Sequence, residues 1–142
     1  MFRVPATQVG RRRLLALAAL VIAGLASVAD AAERGFPYNT EMMLDARPMR
    51  GSKRVPMIEI KSSGKASIDL WCNSVKAQFE VDGDKINMVS GERTEEQCAP
   101  DRMKADDDLV AAFVAVTNWR RDGTVLTLLG GPKPLRFRSL TH

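Results

Sequence analysis

The chain has 142 residues, 45% of them hydrophobic, enough for one small globular domain and a leader segment. Its formal charge of +4 is concentrated at the start, where Arg3, Arg11, Arg12 and Arg13 face only Asp30. The remaining chain carries about +1, which removes the compositional case for nucleic-acid binding.

Residues 1–31 read as a cleaved secretory signal. Arg11-Arg12-Arg13 makes a basic start, residues 14–28 are apolar, and Ala29-Asp30-Ala31 places small residues where a signal peptidase reads. The apolar run is shorter than the ~20 residues a spanning helix needs. The paired arginines also fit a loose twin-arginine pattern, although general secretion is the reading preferred here. No cysteine follows the apolar run, so there is no lipobox. The expected location is the periplasm or the exterior.

Residues 32–41 form a Gly- and Pro-containing lead-in, expected to be loosely held. Residues 42–44 read as a first strand. The basic loop after it, with Arg47, Arg50, Lys53 and Arg54, is expected to be solvated. Residues 55–60 make the next strand, with Ile58 and Ile60 on one face. Ser62-Ser63-Gly64-Lys65 reads as a turn, and residues 66–71 as a strand with Ile68 and Leu70 on one face.

Residues 74–81 have the clearest alternation. Val75, Ala77, Phe79 and Val81 point one way, against Lys76, Gln78 and Glu80. Asp82-Gly83 is a hairpin turn, and residues 85–89 return with Ile86 and Met88 inward. A helix is expected over about residues 101–117, capped by Asp101, with Pro100 just outside. Its apolar stripe is Met103, Leu109, Val110, Phe113 and Val116, interrupted by Asp106. Residues 118–121 and 124–129 make a second hairpin about Asp122-Gly123. Residues 135–138 form a last strand with Leu135 and Phe137 opposite Arg136 and Arg138. Residues 139–142 are a tail.

Cys72 and Cys98 bracket the first hairpin, and an exported domain with two cysteines reads as one disulfide rather than a metal site. On the chain-entropy model, closing that loop stabilises the fold by roughly 3.5 kcal/mol. A redox-active pair is disfavoured by the lack of Cys-x-x-Cys spacing and of a neighbouring base. Nucleophilic catalysis lacks a base too, since the single His is His142. Asp106-Asp107-Asp108 cannot converge on a metal from consecutive helical positions about 100° apart, and reads as a solvated helix face. No phosphate loop, cofactor motif or repeat is present, and a turnover enzyme is not expected.

The order of motifs resembles the META domain, the HslJ-like family. Trp71-Cys72-Asn73, Val81-Asp82-Gly83-Asp84, Thr94 with Cys98, Asp108-Leu109-Val110-Ala111-Ala112-Phe113 and Val116-Thr117 carry it. So do Asp122-Gly123, Leu126-Thr127-Leu128 and Pro134-Leu135-Arg136-Phe137, so that the likeness covers residues 42–138. Trp71 stands where the family commonly has Gly, and Thr94-Glu95-Glu96-Gln97-Cys98 departs from its usual Thr-to-Cys run. The residues alone give an antiparallel meander with one helix; the resemblance adds closure into a small, mainly β barrel. It further implies a bacterial envelope protein of a group linked to stress responses and novobiocin resistance, with no catalytic residue set to carry over.

Trp71, Asn73 and Trp119 are the candidate ligand or partner surface. If the two Trp side chains share one barrel mouth, they line an apolar pocket. The expectation is a monomeric, non-enzymatic domain that takes an envelope protein as partner. The alternatives are a small apolar ligand held in the barrel, or inhibition of an envelope hydrolase. The Ser-Gly-x-x-Tyr loop of some lysozyme inhibitors is incomplete here, with Ser63-Gly64 followed by Ser67. No cofactor, metal, nucleic acid or membrane span after cleavage is expected.

Overall fold

A computed structural model describes residues 35–140; the expected signal segment and His142 lie outside the described residues. Eight antiparallel strands form a closed barrel in sequence order: β1 (Glu41–Leu44), β2 (Met57–Ile60), β3 (Lys65–Asp69), β4 (Ser74–Asp82), β5 (Lys85–Arg93), β6 (Asn118–Asp122), β7 (Val125–Leu129) and β8 (Leu135–Ser139). One helix, α1 (Pro100–Val114), joins β5 to β6.

The alternating pattern sets the faces. Val75, Ala77 and Phe79 of β4 are buried, as are Ile86 and Met88 of β5 and Phe137 of β8, while their neighbours meet solvent. Asp82-Gly83 and Asp122-Gly123 close hairpins with the glycines at φ +59° and +55°. Gly64 is confined more tightly. It has φ +82°, its carbonyl accepts the Phe79 N–H at 2.8 Å, and a Cβ there would run into the Phe79 carbonyl oxygen. The Ser63-Gly64 turn is thus folded against β4.

The two closures of the barrel differ. β1 meets β8 through Met42↔Ser139, Met43↔Arg138 and Leu44↔Phe137. β5 and β6 pair at one position, Lys85 opposite Asn118. Along the rest of β5 the helix does a strand's work. It packs against β5 and sends Leu109 and Phe113 into the barrel. The Phe113 ring stacks on Phe137 at 5.7 Å and meets Phe79 edge-on at 6.2 Å, so three rings from α1, β8 and β4 join inside. With Ile58, Ile60, Ile68, Leu70, Leu126 and Leu128 they fill the interior with apolar side chains.

Several boundaries move for physical reasons. The helix ends at Val114, not at residue 117, because Thr117 is already needed by the sheet. Thr117 accepts the Ile86 N–H at 3.0 Å and donates its own N–H to Leu129 at 2.8 Å. At the other end Pro100 stands inside the first turn and Ala99 precedes it. Asp101 does not cap; its carboxylate accepts the adjacent Arg102 N–H at 2.9 Å. The described part of the lead-in is not loose. Asn39 donates its N–H to Ile60 at 2.7 Å, and Phe36 lies 4.7 Å from the Tyr38 ring and 5.0 Å from Trp119. β1 starts at Glu41, β8 reaches Ser139, and Leu140 donates its N–H to Glu41.

Candidate functional site

The turn between β3 and β4, Leu70 to Ser74 in the sequence, is the most heavily cross-linked part of the molecule. Apart from the Leu70 N–H, which donates to Asn73, its backbone is not satisfied in a ladder, so it takes four sets of partners from three other segments. The first is covalent. Cys72 and Cys98 are joined, with Cα atoms 6.2 Å apart, within the ordinary span of a disulfide.

The second is Asp106, which is fully buried. One carboxylate oxygen accepts the Cys72 N–H at 3.0 Å and the other the Asn73 N–H at 2.7 Å. Arg93 stands 3.5 Å from the same carboxylate and 2.6 Å from Asp107. This corrects the reading of Asp106-Asp107-Asp108 as one solvated face. Asp107 and Asp108 do face solvent, and Asp108 pairs with Lys104 one turn away at 2.6 Å. Asp106 points inward because its position belongs to the buried stripe with Leu109 and Phe113, and two backbone donors await it there.

The third is Arg54. It leaves the basic loop, where it was expected to be solvated, and donates to the Cys72 carbonyl at 2.8 Å and the Asn73 carbonyl at 3.2 Å. It also reaches Ser74 Oγ at 3.3 Å and lies 3.7 Å from Asp69. The fourth set comes from the segment after β5 that also carries Cys98. Asn73 Oδ1 accepts the Glu96 N–H at 2.7 Å and the Thr94 hydroxyl at 2.8 Å, while Thr94 Oγ1 accepts the Ser74 N–H at 3.0 Å. A bulge makes this approach possible. The β4–β5 register shifts between Val75↔Arg93 and Ala77↔Ser90, and Gly91 lies so close to the Lys76 carbonyl that a Cβ would sit 3.0 Å from it.

Above the clamped turn lies an open groove of about 490 Å³, bordered by Asn73, Arg93, Thr94, Glu96, Met103 and Asp107. Its rim is rich in carboxylates and backbone carbonyls and holds no nucleophile with a base beside it. Among the described residues, no group of three His, Cys, Asp or Glu side chains is gathered to hold a metal. No described helix is long and apolar enough to cross a membrane.

The three candidate surface residues are not gathered together. Asn73 is 3% exposed and its amide is engaged within the clamp. Trp71, half-buried, adjoins that turn before β4. Trp119 donates its indole N–H at 2.8 Å to Gly83, in the turn after β4. Nine residues of strand, roughly 30 Å, separate the two turns, so the Trp pair does not line one mouth. The residues that sequence reasoning missed are Asp106 and Arg54. A signal for Asp106 was present: a carboxylate inside an apolar helical stripe needs a buried partner. Arg54 carried none, because its partners are backbone carbonyls distant in sequence.

No curated protein matches the chain in sequence. A solved structure described only as an NMR structure superposes with a TM-score of 0.54 at 14% identity, covering 70% of this chain and 88% of that one. At that identity the likeness concerns the fold alone. The model of the META domain family matches residues 35–140, the whole closed barrel with its helix and clamped turn, and the chain belongs to that family.

Proposed function

We propose that this META domain is an exported, monomeric, non-enzymatic module that supports envelope stress tolerance by binding another protein on its outer surface. The observation that carries this reading is the filled barrel. Three phenylalanine rings and the aliphatic side chains around them occupy the interior, which weighs against an apolar cargo held there. Recognition then falls to the exterior, and the groove over the Cys72–Cys98 turn is its best-held feature, because a backbone fixed by three other segments binds without a large ordering cost. The disulfide is compatible with an oxidising compartment outside the cytoplasm. Asn73 with Thr94, and Arg93 with Asp107, are engaged with one another on the groove, which weighs against a turnover role for them.

The test is photo-crosslinking in the exporting cell with the reactive residue placed at Met103 or Gln97, on the groove, and at Lys61, in the turn after β2. A discrete protein adduct from the groove positions and none from Lys61 is the expected result. Absence of a groove adduct, together with a small-molecule mass retained in native mass spectrometry and lost on denaturation, would instead favour a ligand-binding barrel.

A further inference from the structure

The seam between β5 and β6 is the open side of the barrel. β5 meets β6 only where Lys85 stands opposite Asn118, and α1 packs along part of what is left. Past Arg93 the chain runs on to Ala99 with neither turn nor bend, and Thr94, Glu95, Glu96 and Gln97 are all exposed. It continues the β5 edge, and no described strand covers it there.

This segment is held by every second residue. The Thr94 N–H donates to the Ser74 carbonyl at 3.0 Å, the Glu96 N–H donates to Asn73 Oδ1 at 2.7 Å, and Cys98 is bonded to Cys72. Glu95 and Gln97 lie between these anchors, and their N–H and C=O groups make no hydrogen bond among the described residues. In an extended chain successive N–H groups point to opposite sides, so those of Glu95 and Gln97 are turned away from the clamped turn. Two donors and two acceptors at strand spacing, on a backbone already fixed, form a template for one further strand.

Charge says which strand. Glu95, Glu96 and Asp107 border the groove together with one cation, Arg93, whose guanidinium is already held by Asp107 at 2.6 Å and Asp106 at 3.5 Å. The carboxylates of Glu95 and Glu96 have no ion pair or hydrogen bond among the described residues. Half-buried Met103 of α1 adds an apolar thioether to the same groove. A second copy of this edge is a poor occupant. An antiparallel pairing in which Glu95 of one copy and Gln97 of the other exchange bonds sets the two Glu96 carboxylates opposite each other. A strand carrying lysine or arginine replaces that repulsion by attraction.

We infer that residues 94–98 are a strand-docking edge, and that the protein taken at the groove presents an extended run with lysine or arginine side chains. The main-chain groups of Glu95 and Gln97 supply the ladder, and the Glu95 and Glu96 carboxylates select for positive charge. The Cys72–Cys98 disulfide and Asn73 hold the edge in place before the partner arrives.

The inference rests on the protein-binding reading of the groove, and the two can fail separately. The probe is a short peptide of alternating lysine and valine. Its comparisons are the glutamate–valine peptide and the lysine peptide N-methylated along its backbone, which keeps the charge and loses every ladder donor. In an NMR titration the lysine peptide should move the Glu95 and Gln97 amide signals and bind roughly tenfold or more tighter than either comparison. The E95Q/E96Q variant should weaken it roughly fivefold or more, and E41Q/E80Q, the same charge change on β1 and β4, should not. The Glu95 and Glu96 side chains have no partner to lose, so the fold is not at stake. Comparable binding of the N-methylated or the glutamate peptide, or equal loss from both double variants, overturns the inference. A discrete groove adduct in the cell that survives E95Q/E96Q also overturns it and leaves the protein-binding reading intact. Peptide binding as expected, without a groove adduct in the cell, upholds the edge and removes that reading.

Discussion

The two ends of β4 are held by opposite means. At Ser74 the chain is fixed by a disulfide, a buried carboxylate and an arginine, and almost every contact is polar and directional. At Asp82 the turn is held chiefly from β6: the Trp119 indole donates to Gly83, the Trp119 N–H and the Asn118 amide donate to Asp84, and the Trp119 ring meets Phe36 edge-to-face. An apolar contact degrades gradually as atoms are removed. A buried charge paired with two backbone donors fails abruptly, because any loss leaves donors without acceptors in a dry site. The clamped end is therefore predicted to be brittle and the aromatic end forgiving.

The largest effect is expected at Asp106. Asp106→Ala strands the Cys72 and Asn73 N–H groups and should lower stability by about 3 kcal/mol, or more if no water enters. Denaturant midpoints at constant slope would show this. Breaking the disulfide comes close behind. Reduction, or Cys72→Ala with Cys98→Ala, should cost roughly 3 kcal/mol, with secondary structure retained at low temperature. Trp119→Ala removes a half-buried ring and one hydrogen bond and should cost about 2 kcal/mol, without changing the response to reductant. If it proved more damaging than Asp106→Ala, the contrast between the two ends would collapse.

The smallest effect concerns Asp45. Its carboxyl is held below the ordinary 3.8, first by the hydrogen bond from Arg138, which outweighs an opposing desolvation effect, with the charges of Arg138 and Arg136 adding smaller downward pulls. A depressed folded value means the contribution is present above the unfolded pKa and lost as pH falls through the folded one. NMR titration should therefore place Asp45 below 3.8, and Arg138→Gln should move it back up. An unchanged titration in that variant would show that Arg138 does not hold the Asp45 carboxyl down.

What was legible in the sequence follows from the range of each interaction. The strands, their inward faces and both Asp-Gly hairpins are local, and Val75, Ala77, Phe79, Ile86 and Met88 took their expected sides. The Cys72–Cys98 pair was legible because a hairpin brackets it. Barrel closure was not, since β1 and β8 meet from opposite ends of the domain and leave no local pattern; the family resemblance supplied it. Asp106 was misread for a related reason. Its helical neighbours Asp107 and Asp108 are solvated, and local charge density hid the fact that its own position lies on the buried stripe. The Gly- and Pro-containing lead-in was misread by composition, which is blind to Phe36 finding Trp119 across the fold.

The most direct test is urea unfolding of Asp106→Asn beside Asp107→Asn. Asparagine keeps the shape but offers one acceptor oxygen where two backbone N–H groups need two, so a donor is forced to face a donor. Asp106→Asn should lose about 2–3 kcal/mol, nearly as much as the alanine variant, while Asp107→Asn gives up only an exposed ion pair, at most ~1 kcal/mol. Equal, small losses from the two variants would mean that Asp106 is solvated after all and that the turn is held by its disulfide alone.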